Sequence, residues 1–437
     1  MTDLNRGIVG NMDTGETINK TKNRIRNIAG NRTRHRAIRK TVYFILAVLV
    51  TAMTVACGST SGASGKPTEN KDVGENAAEG SSKTGDNAGD AGKDTGGEAD
   101  RLQRIRDFAE GENITIHYET VDAGSAGDAD NTDDKSGNTS GGNDFEIVFI
   151  TDSHISLCDN RDPDLMGIAE DRYMMIRDYP QAAGQDGISD GGDPAGEDGA
   201  STAAGEPSYA DDSFDSLLRL TDIIDPDLLI LGGDTVDSAM YRSIDFVTDE
   251  LKDKTYPYIY TIGNHDFEYG DEYYSEKAYS EYLPRLSGLT KSVSGCQVYE
   301  TDDLIVLAVD DDNNKLSKQA LQSLKDVYHK GKPVIVVSHL PFEPEGDDSL
   351  LTESIGFWGA DENGKSRVVL GDDALVPDDV TREFMELMTA EDSPVILVLA
   401  GHIHFYHKDK LDQKIVQVVG DGGFTKPLVY VKITSLP

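Results

Sequence analysis

From Phe145 onward, short runs of strand-forming apolar residues recur, and several break off into a polar motif built on Asp, His or Asn. The runs are 145–151 (FEIVFIT), 228–231 (LLIL), 257–262 (PYIYTI), 296–300, 304–309 (LIVLAV), 334–337 (VIVV), 395–399 (VILVL), 415–419 (IVQVV) and 428–433 (LVYVKI). Helical patterns at 213–224, 241–252, 275–283, 316–329 and 379–389 lie between them. Strands alternating with helices predict a layered α/β domain over 144–437.

The rest of the chain is different in texture. Hydrophobic content is 37%, low for a wholly folded chain of 437 residues, which sets a folded part beside polar segments that cannot offset their ordering entropy. Residues 58–143 form an acidic linker of this kind. Within it, 101–121 breaks the pattern: Leu102, Ile105 and Phe108 have helical spacing, and Ile114, Ile116 and Tyr118 alternate as in a strand. This small element either docks on the main domain or stays loose. A Gly/Asp/Ala tract at 181–212 reads as a low-complexity surface insertion.

Residues 1–40 hold ten Lys/Arg and three Asp/Glu, net +7, which leaves −45 for the remainder of a chain at −38 overall. So acidic a body repels nucleic-acid backbones, so no binding to a nucleic-acid duplex is expected, and a phosphate substrate needs local positive charge. After the basic n-region comes the uncharged run Thr41–Ala56, then Cys57-Gly58-Ser59-Thr60. Basic, apolar and small residues in that order are the parts of a secretory signal. Thr54-Val55-Ala56-Cys57 resembles a bacterial lipobox, with Thr54 where leucine is usual. The segment 41–57 is therefore read as a signal whose Cys57 takes a lipid. The rival is an uncleaved anchor helix, although sixteen residues fall short of the ~20 that span a bilayer; a buried core segment is a third reading. Both membrane readings put the basic end in the cytoplasm and the acidic body outside the cytoplasmic membrane. Cys158 and Cys296 read as unpaired structural thiols, and no cysteine has zinc-site spacing.

The motifs are Asp152-Ser153-His154, Gly233-Asp234-Thr235-Val236-Asp237, Gly263-Asn264-His265-Asp266, Ser338-His339 and Gly401-His402-Ile403-His404. Asp152 and His154, at i and i+2 of an extended chain, point to one side and can reach one metal. Asp234 has two carboxylate oxygens with which to bridge two ions, and Asn264 offers a neutral carbonyl oxygen. His339, His402 and His404 close later strands. Imidazole nitrogen and carboxylate oxygen without thiolate suit zinc, iron or manganese. A single histidine or Asp-Gly pair is ordinarily a surface or turn residue. Here five of the seven histidines after residue 144 fall in the motifs, and that concentration favours a metal site.

Taken in order, the set resembles the calcineurin-like metallophosphoesterase superfamily, whose pattern is DxH, GDxxD, GNHD/E, H and GHxH. The resemblance covers about 145–437. It implies a layered α/β/β/α sandwich with two central mixed β-sheets and a dinuclear site at the strand C-terminal ends. It implies two divalent or trivalent ions (Mn, Fe, Zn or similar), one held by Asp152, His154, Asp234 and His404, the other by Asp234, Asn264, His339 and His402. His265 would contact the substrate phosphate and assist the leaving group, oriented by Asp237, while Asp266 would be a local structural partner. Such ions clamp the attacking and leaving oxygens of an in-line displacement, and a bridging water that loses its proton becomes the nucleophile. The implied activity is hydrolysis of phosphomono- or phosphodiesters on the outer face of the cytoplasmic membrane.

Two departures narrow the subgroup. The second motif continues Ser238-Ala239 rather than the Arg-Gly of the protein serine/threonine phosphatases, and Asp237 stands where purple acid phosphatases have tyrosine. A competing reading is a non-catalytic cell-surface binding domain stabilised by metals; intact His265 and Asp237 favour the enzyme. Segment 342–378, with Phe357-Trp358-Gly359, reads as a long loop that either walls a leaving group or packs its aromatics.

Overall fold

Alternate residues of the central strands turn to opposite sides, and that period of two sorts the chain into four layers. The computed structural model describes residues 95–125, 144–177, 209–267, 276–292, 296–311 and 314–437. The leader 1–40, the segment 41–57 with Cys57, most of the 58–143 linker and most of the 181–212 tract fall outside the described residues.

Two sheets form the middle. The first runs β1 (Thr115–Asp122), β11 (Pro427–Thr434), β2 (Phe145–Ile150), β3 (Leu228–Leu231) and β4 (Tyr258–Tyr260). Strands β2, β3 and β4 are parallel, β11 is antiparallel to β2, and β1 is parallel to β11. The second runs β5 (Gln297–Glu300), β6 (Ile305–Ala308), β7 (Val334–Val337), β8 (Val395–Ala400), β10 (Val416–Val419) and β9 (His407–Lys410). Its inner four strands are parallel and its two outer strands antiparallel to their neighbours.

Between the sheets, Ile147 and Phe149 share a cluster with Val306, Ala308, Ile335 and Val337. Val148 and Ile150 turn the other way, toward Ile105 of α1 (Thr95–Glu112), Phe214 and Leu217 of α3 (Ala210–Ile224) and Val247 of α4 (Tyr241–Leu251). On the far side, Ile305, Leu307, Val334 and Val336 join Leu324 of α6 (Lys318–Tyr328) and Phe384 of α8 (Asp379–Met388). The order is α/β/β/α, as the resemblance implied. Strands covered on both faces carry unbroken apolar runs, which is why LLIL, VIVV and IVLA are buried throughout. A bulge in β8 sets Val334 opposite Val395 but Ile335 opposite Leu397. Ile396 and Leu397 therefore both face the inter-sheet core. Helices α6 and α8 start on side-chain caps, with Ser317 Oγ accepting from the Ala320 N–H at 3.1 Å and Asp378 Oδ1 from the Thr381 N–H at 2.9 Å.

Several elements depart from expectation. The small element at 101–121 docks: β1 pairs along its whole length with β11, and Ile105, Ala109, Ile114 and Val121 are buried. The sheet thus includes chain ahead of residue 144, where the domain was expected to start. Arg101 on α1 binds the Ile224 carbonyl and the Glu146 carboxylate. Strand β9 was missed because its sequence, His-Lys-Asp-Lys, is polar; pairing with β10 makes it a strand. Helix α5 (Glu276–Thr290) continues through Pro284, where the sequence pattern predicts a stop, and buries Leu286 and Leu289 beyond it. Helices α2 (Met166–Arg177) and α7 (Ser349–Trp358) were not anticipated at all. Cys158 and Cys296 are free thiols. No helix among the described residues is long and apolar enough to cross a membrane.

The docking of α1 is open to test. Ile105→Ala removes a fully buried side chain and is expected to lower the unfolding free energy by about 2–5 kcal/mol, as large-to-small changes in packed cores do. A change within ~0.5 kcal/mol in urea denaturation, the range of surface substitutions, would set α1 outside the cooperative fold.

Candidate metal centre

The C-terminal ends of β2, β3 and β4 in one sheet and of β7 and β8 in the other release the chain into short turns that carry the motifs. Asp152 and His154 are not extended, contrary to the i, i+2 argument from sequence. Their φ angles are 52° and 50°, and Asp234 (49°), His402 (72°) and His404 (59°) share this left-handed region. Each such residue costs about 1–2 kcal/mol relative to ordinary backbone. Neighbouring turns hold one another in place. The Asp152 N–H donates to Gly233 O at 2.9 Å, the His154 N–H to Asp234 O at 2.8 Å, and the Gly401 N–H to His339 O at 2.9 Å. Glycine is required where the turns touch: a Cβ on Gly263 would collide with Asp234, and one on Gly401 with Thr151 and Asp152.

These turns assemble two groups of donors. In the first, His154 Nε2 lies 3.0 Å from His404 Nε2, and His404 Nε2 lies 3.3 Å from Asp152 Oδ1. In the second, His339 Nε2 lies 3.0 Å from Asp234 Oδ2 and 3.3 Å from His402 Nδ1. Asp234 Oδ2 is also 3.9 Å from His154 Nε2, so this carboxylate stands between the groups. Asp152, Asp234 and His154 are completely buried. Asn264 Oδ1 is buried and has no hydrogen-bond partner among the described residues, as suits an oxygen kept for a cation.

Electrostatics fit the same picture. Burial pushes His154 down to about 4 and His402 down to about 3, which keeps a lone pair on each ring. Burial works in the same direction on His339, but adjacent Asp234 and Asp152 outweigh it and raise this group to about 10. Burial also opposes ionisation of Asp152 and Asp234, yet the surrounding imidazoles hold both below the usual carboxylate range. The His339 Nδ1 donates to Gly232 O at 3.0 Å, a backbone contact that fixes the tautomer and turns Nε2 inward. Lone pairs this close repel unless a cation or proton joins them, and ligands about 2.0–2.1 Å from a shared ion sit at comparable separations. The donor set therefore fits two divalent cations.

Residues 145–406 match the family model described as calcineurin-like phosphoesterase. The chain belongs to the calcineurin-like phosphoesterase family. It is a metal-dependent hydrolase of phosphate esters with a dinuclear site. Among solved structures it is similar to a dimetal phosphatase from Danio rerio (14% identity, 64% of this chain and 88% of that one, TM-score 0.34). It is also similar to the purple acid phosphatase PPD1 from yellow lupin seeds (11% identity, 64% and 44%, TM-score 0.38) and to a phosphopantetheinyl hydrolase from Mycobacterium tuberculosis (11% identity, 64% and 90%, TM-score 0.31). No curated protein sequence matches it.

Beside the donor groups of this phosphoesterase lies His265, with Nδ1 3.1 Å from Asp237 Oδ1 and its side chain 22% exposed. Its backbone N–H donates to Asp234 Oδ1 at 2.7 Å. The sequence reading brought nine residues to this place, and all nine meet here. It missed Arg172, on the inward face of α2, whose Nε lies 2.5 Å from Asp237 Oδ2. The signal was present: Leu165, Ala169, Arg172 and Ile176 have helical spacing, and a cation on an inward face requires a partner. Trp358, on the unexpected helix α7, sets its ring 5.2 Å from that of His404 and donates Nε1–H to Ile403 O at 2.8 Å. Phe424 flanks His154 and His404 at 5.6 and 5.2 Å.

Asp266 is the structural partner the motif implied. Its carboxylate accepts from the N–H groups of Gly263 (2.8 Å), Val236 (3.0 Å) and Asp234 (3.1 Å) and from Tyr260 OH (2.7 Å). Burial, with the charge of Asp234, raises its pKa to about 7. Asp266→Ala orphans four buried donors, each worth roughly 1–3 kcal/mol, so chemical denaturation is expected to show a loss of at least ~3 kcal/mol. A loss under ~1 kcal/mol would mean that this carboxylate does not hold the turns together.

Proposed function

We propose that this phosphoesterase hydrolyses a phosphomono- or phosphodiester on the outer face of the cytoplasmic membrane, to which lipidated Cys57 tethers it. The observation that carries the catalytic reading is the pair of donor groups sharing Asp234, with His265 beside them. Asp152, His154, Asp234 and His404 hold one ion, and Asp234, Asn264, His339 and His402 hold the other. When bound, two such ions supply Lewis-acid charge for the phosphoryl oxygens and an activated water.

The chain's own residues do the rest. His265 reaches the substrate from a partly exposed position and assists the departing oxygen. Asp237 orients the His265 ring through Nδ1. Burial would raise the Asp237 carboxyl, but Arg172 and the hydrogen bonds of His154 and His265 hold it well below the carboxylate range, so it is ionised wherever the enzyme works. Phe424 and Trp358 cover the rings of His404 and, for Phe424, His154, which limits water at that side. The tether reading rests on the basic stretch, the apolar run and Cys57 in that order.

Rates on p-nitrophenyl phosphate and on its bis ester, with Mn²⁺ added, will decide between monoesters and diesters; metal-loaded protein inert on both and on a nucleotide panel would overturn the catalytic reading. His265→Ala is expected to lower kcat by about 10²–10⁴-fold while metal content by mass spectrometry stays near the native value. Asp234→Asn is expected to deplete both ions, whereas His404→Ala depletes one; equal loss from the two would refute the shared role of Asp234. Labelled lipid should enter the native protein and not Cys57→Ala.

A further inference from the structure

Asp237 does not serve His265 alone. Arg172 takes both of its oxygens, with Nε 2.5 Å from Oδ2 and Nη2 3.0 Å from Oδ1. The same Nη2 lies 3.0 Å from His265 Nδ1. His154 Nδ1 approaches Oδ1 as well, at 3.6 Å. Side-chain burial is 3% exposed for Asp237 and 23% for Arg172, so this ion pair is only partly solvated and its geometry is fixed by the packing of α2.

A guanidinium is a donor only. Its contact with Nδ1 is favourable when Nδ1 carries a lone pair and unfavourable when Nδ1 carries a proton directed at the same hydrogen. Asp237, already given two charge-assisted hydrogen bonds by Arg172, needs no proton from His265. The geometry points to Arg172 as a positioning residue that fixes the proton of neutral His265 on Nε2. This deepens the proposed hydrolysis and rests on it for its chemical consequence. His265 then acts as a preorganised neutral donor, an electrophile of the kind a neutral imidazole can be. As the P–O bond breaks, the ester oxygen leaves with the electron pair, hydrogen-bonded to Nε2–H, and takes its proton from water. No bond to hydrogen breaks at His265. In the absence of Arg172, Nδ1–H would donate to Asp237, and Nε2 would present a lone pair to that oxygen.

Two measurements test this. Two-bond ¹H–¹⁵N spectra of zinc-loaded protein read the tautomer without turnover. The Nε2–H pattern is expected for His265 in the native protein and the Nδ1–H pattern in Arg172→Ala. An Nδ1–H pattern in the native protein, or no change in the variant, overturns the assignment. Kinetics on a matched pair of esters then reads the consequence. Arg172→Ala is expected to lower kcat about 10²-fold on an alkyl phosphate and less than ~5-fold on the p-nitrophenyl ester, whose anion needs little help. In a His265→Ala background it should add nothing. Equal losses on both esters, additivity with His265→Ala, or a raised KM with kcat intact would make Arg172 a scaffold or phosphate contact and overturn the role. Arg172→Lys keeps the charge without the fork and should fall between, with melting temperature and metal content confirming that both variants fold. If the native protein cleaves neither ester, the function fails, and the spectra still decide the tautomer.

Discussion

Two carboxylates, Asp152 and Asp234, are sealed from water at the ends of neighbouring strands. Buried charge is tolerated only where it is paired, and the available partners are imidazoles, two of which burial itself keeps neutral. Cations complete the balance. Most of the surrounding structure can be understood as holding this arrangement together: left-handed turns at five donor residues, glycines where turns touch, and Asp266 gathering three backbone N–H groups beneath them. The strain in those turns is local. The four-layer core on which they stand carries none of it.

The parallel strands explain why the site lies where it does. In each sheet their C-terminal ends share one edge, so loops leaving β2, β3 and β4 meet loops leaving β7 and β8 across the inter-sheet core. Ligands gather at such ends because the turns there are free to vary while the strands beneath stay rigid. The cover comes from elsewhere. Arg172 arrives on a helix between the first and second motifs, and Trp358 on a helix between the fourth and fifth.

Buried strands were legible because a strand covered on both faces has to be apolar throughout, and β3 and β7 coincide with their sequence runs. The motif residues were legible because Asp, His and Asn in that order and spacing serve little purpose apart from a shared site. The polar strand β9 and the helices α2 and α7 were not. Their sequences are mixed, and their structure comes from what they pack against: β10 for β9, Phe424 in one buried cluster with Ile176 of α2, and Phe405 in another with Leu350 and Leu351 of α7.

The sequence by itself determined the donor chemistry, the layered α/β class and the family, since all three follow from residue type and periodicity along the chain. Only the tertiary structure decided how the donors divide. The left-handed backbone at Asp152 and His154 replaced the extended geometry that their spacing suggested. Docking of α1 and β1 moved the start of the sheet ahead of residue 144. The approach of Arg172 to Asp237 and His265 spans 65 and 93 residues of chain. Contacts over such separations depend on how whole elements pack, and no local pattern encodes them.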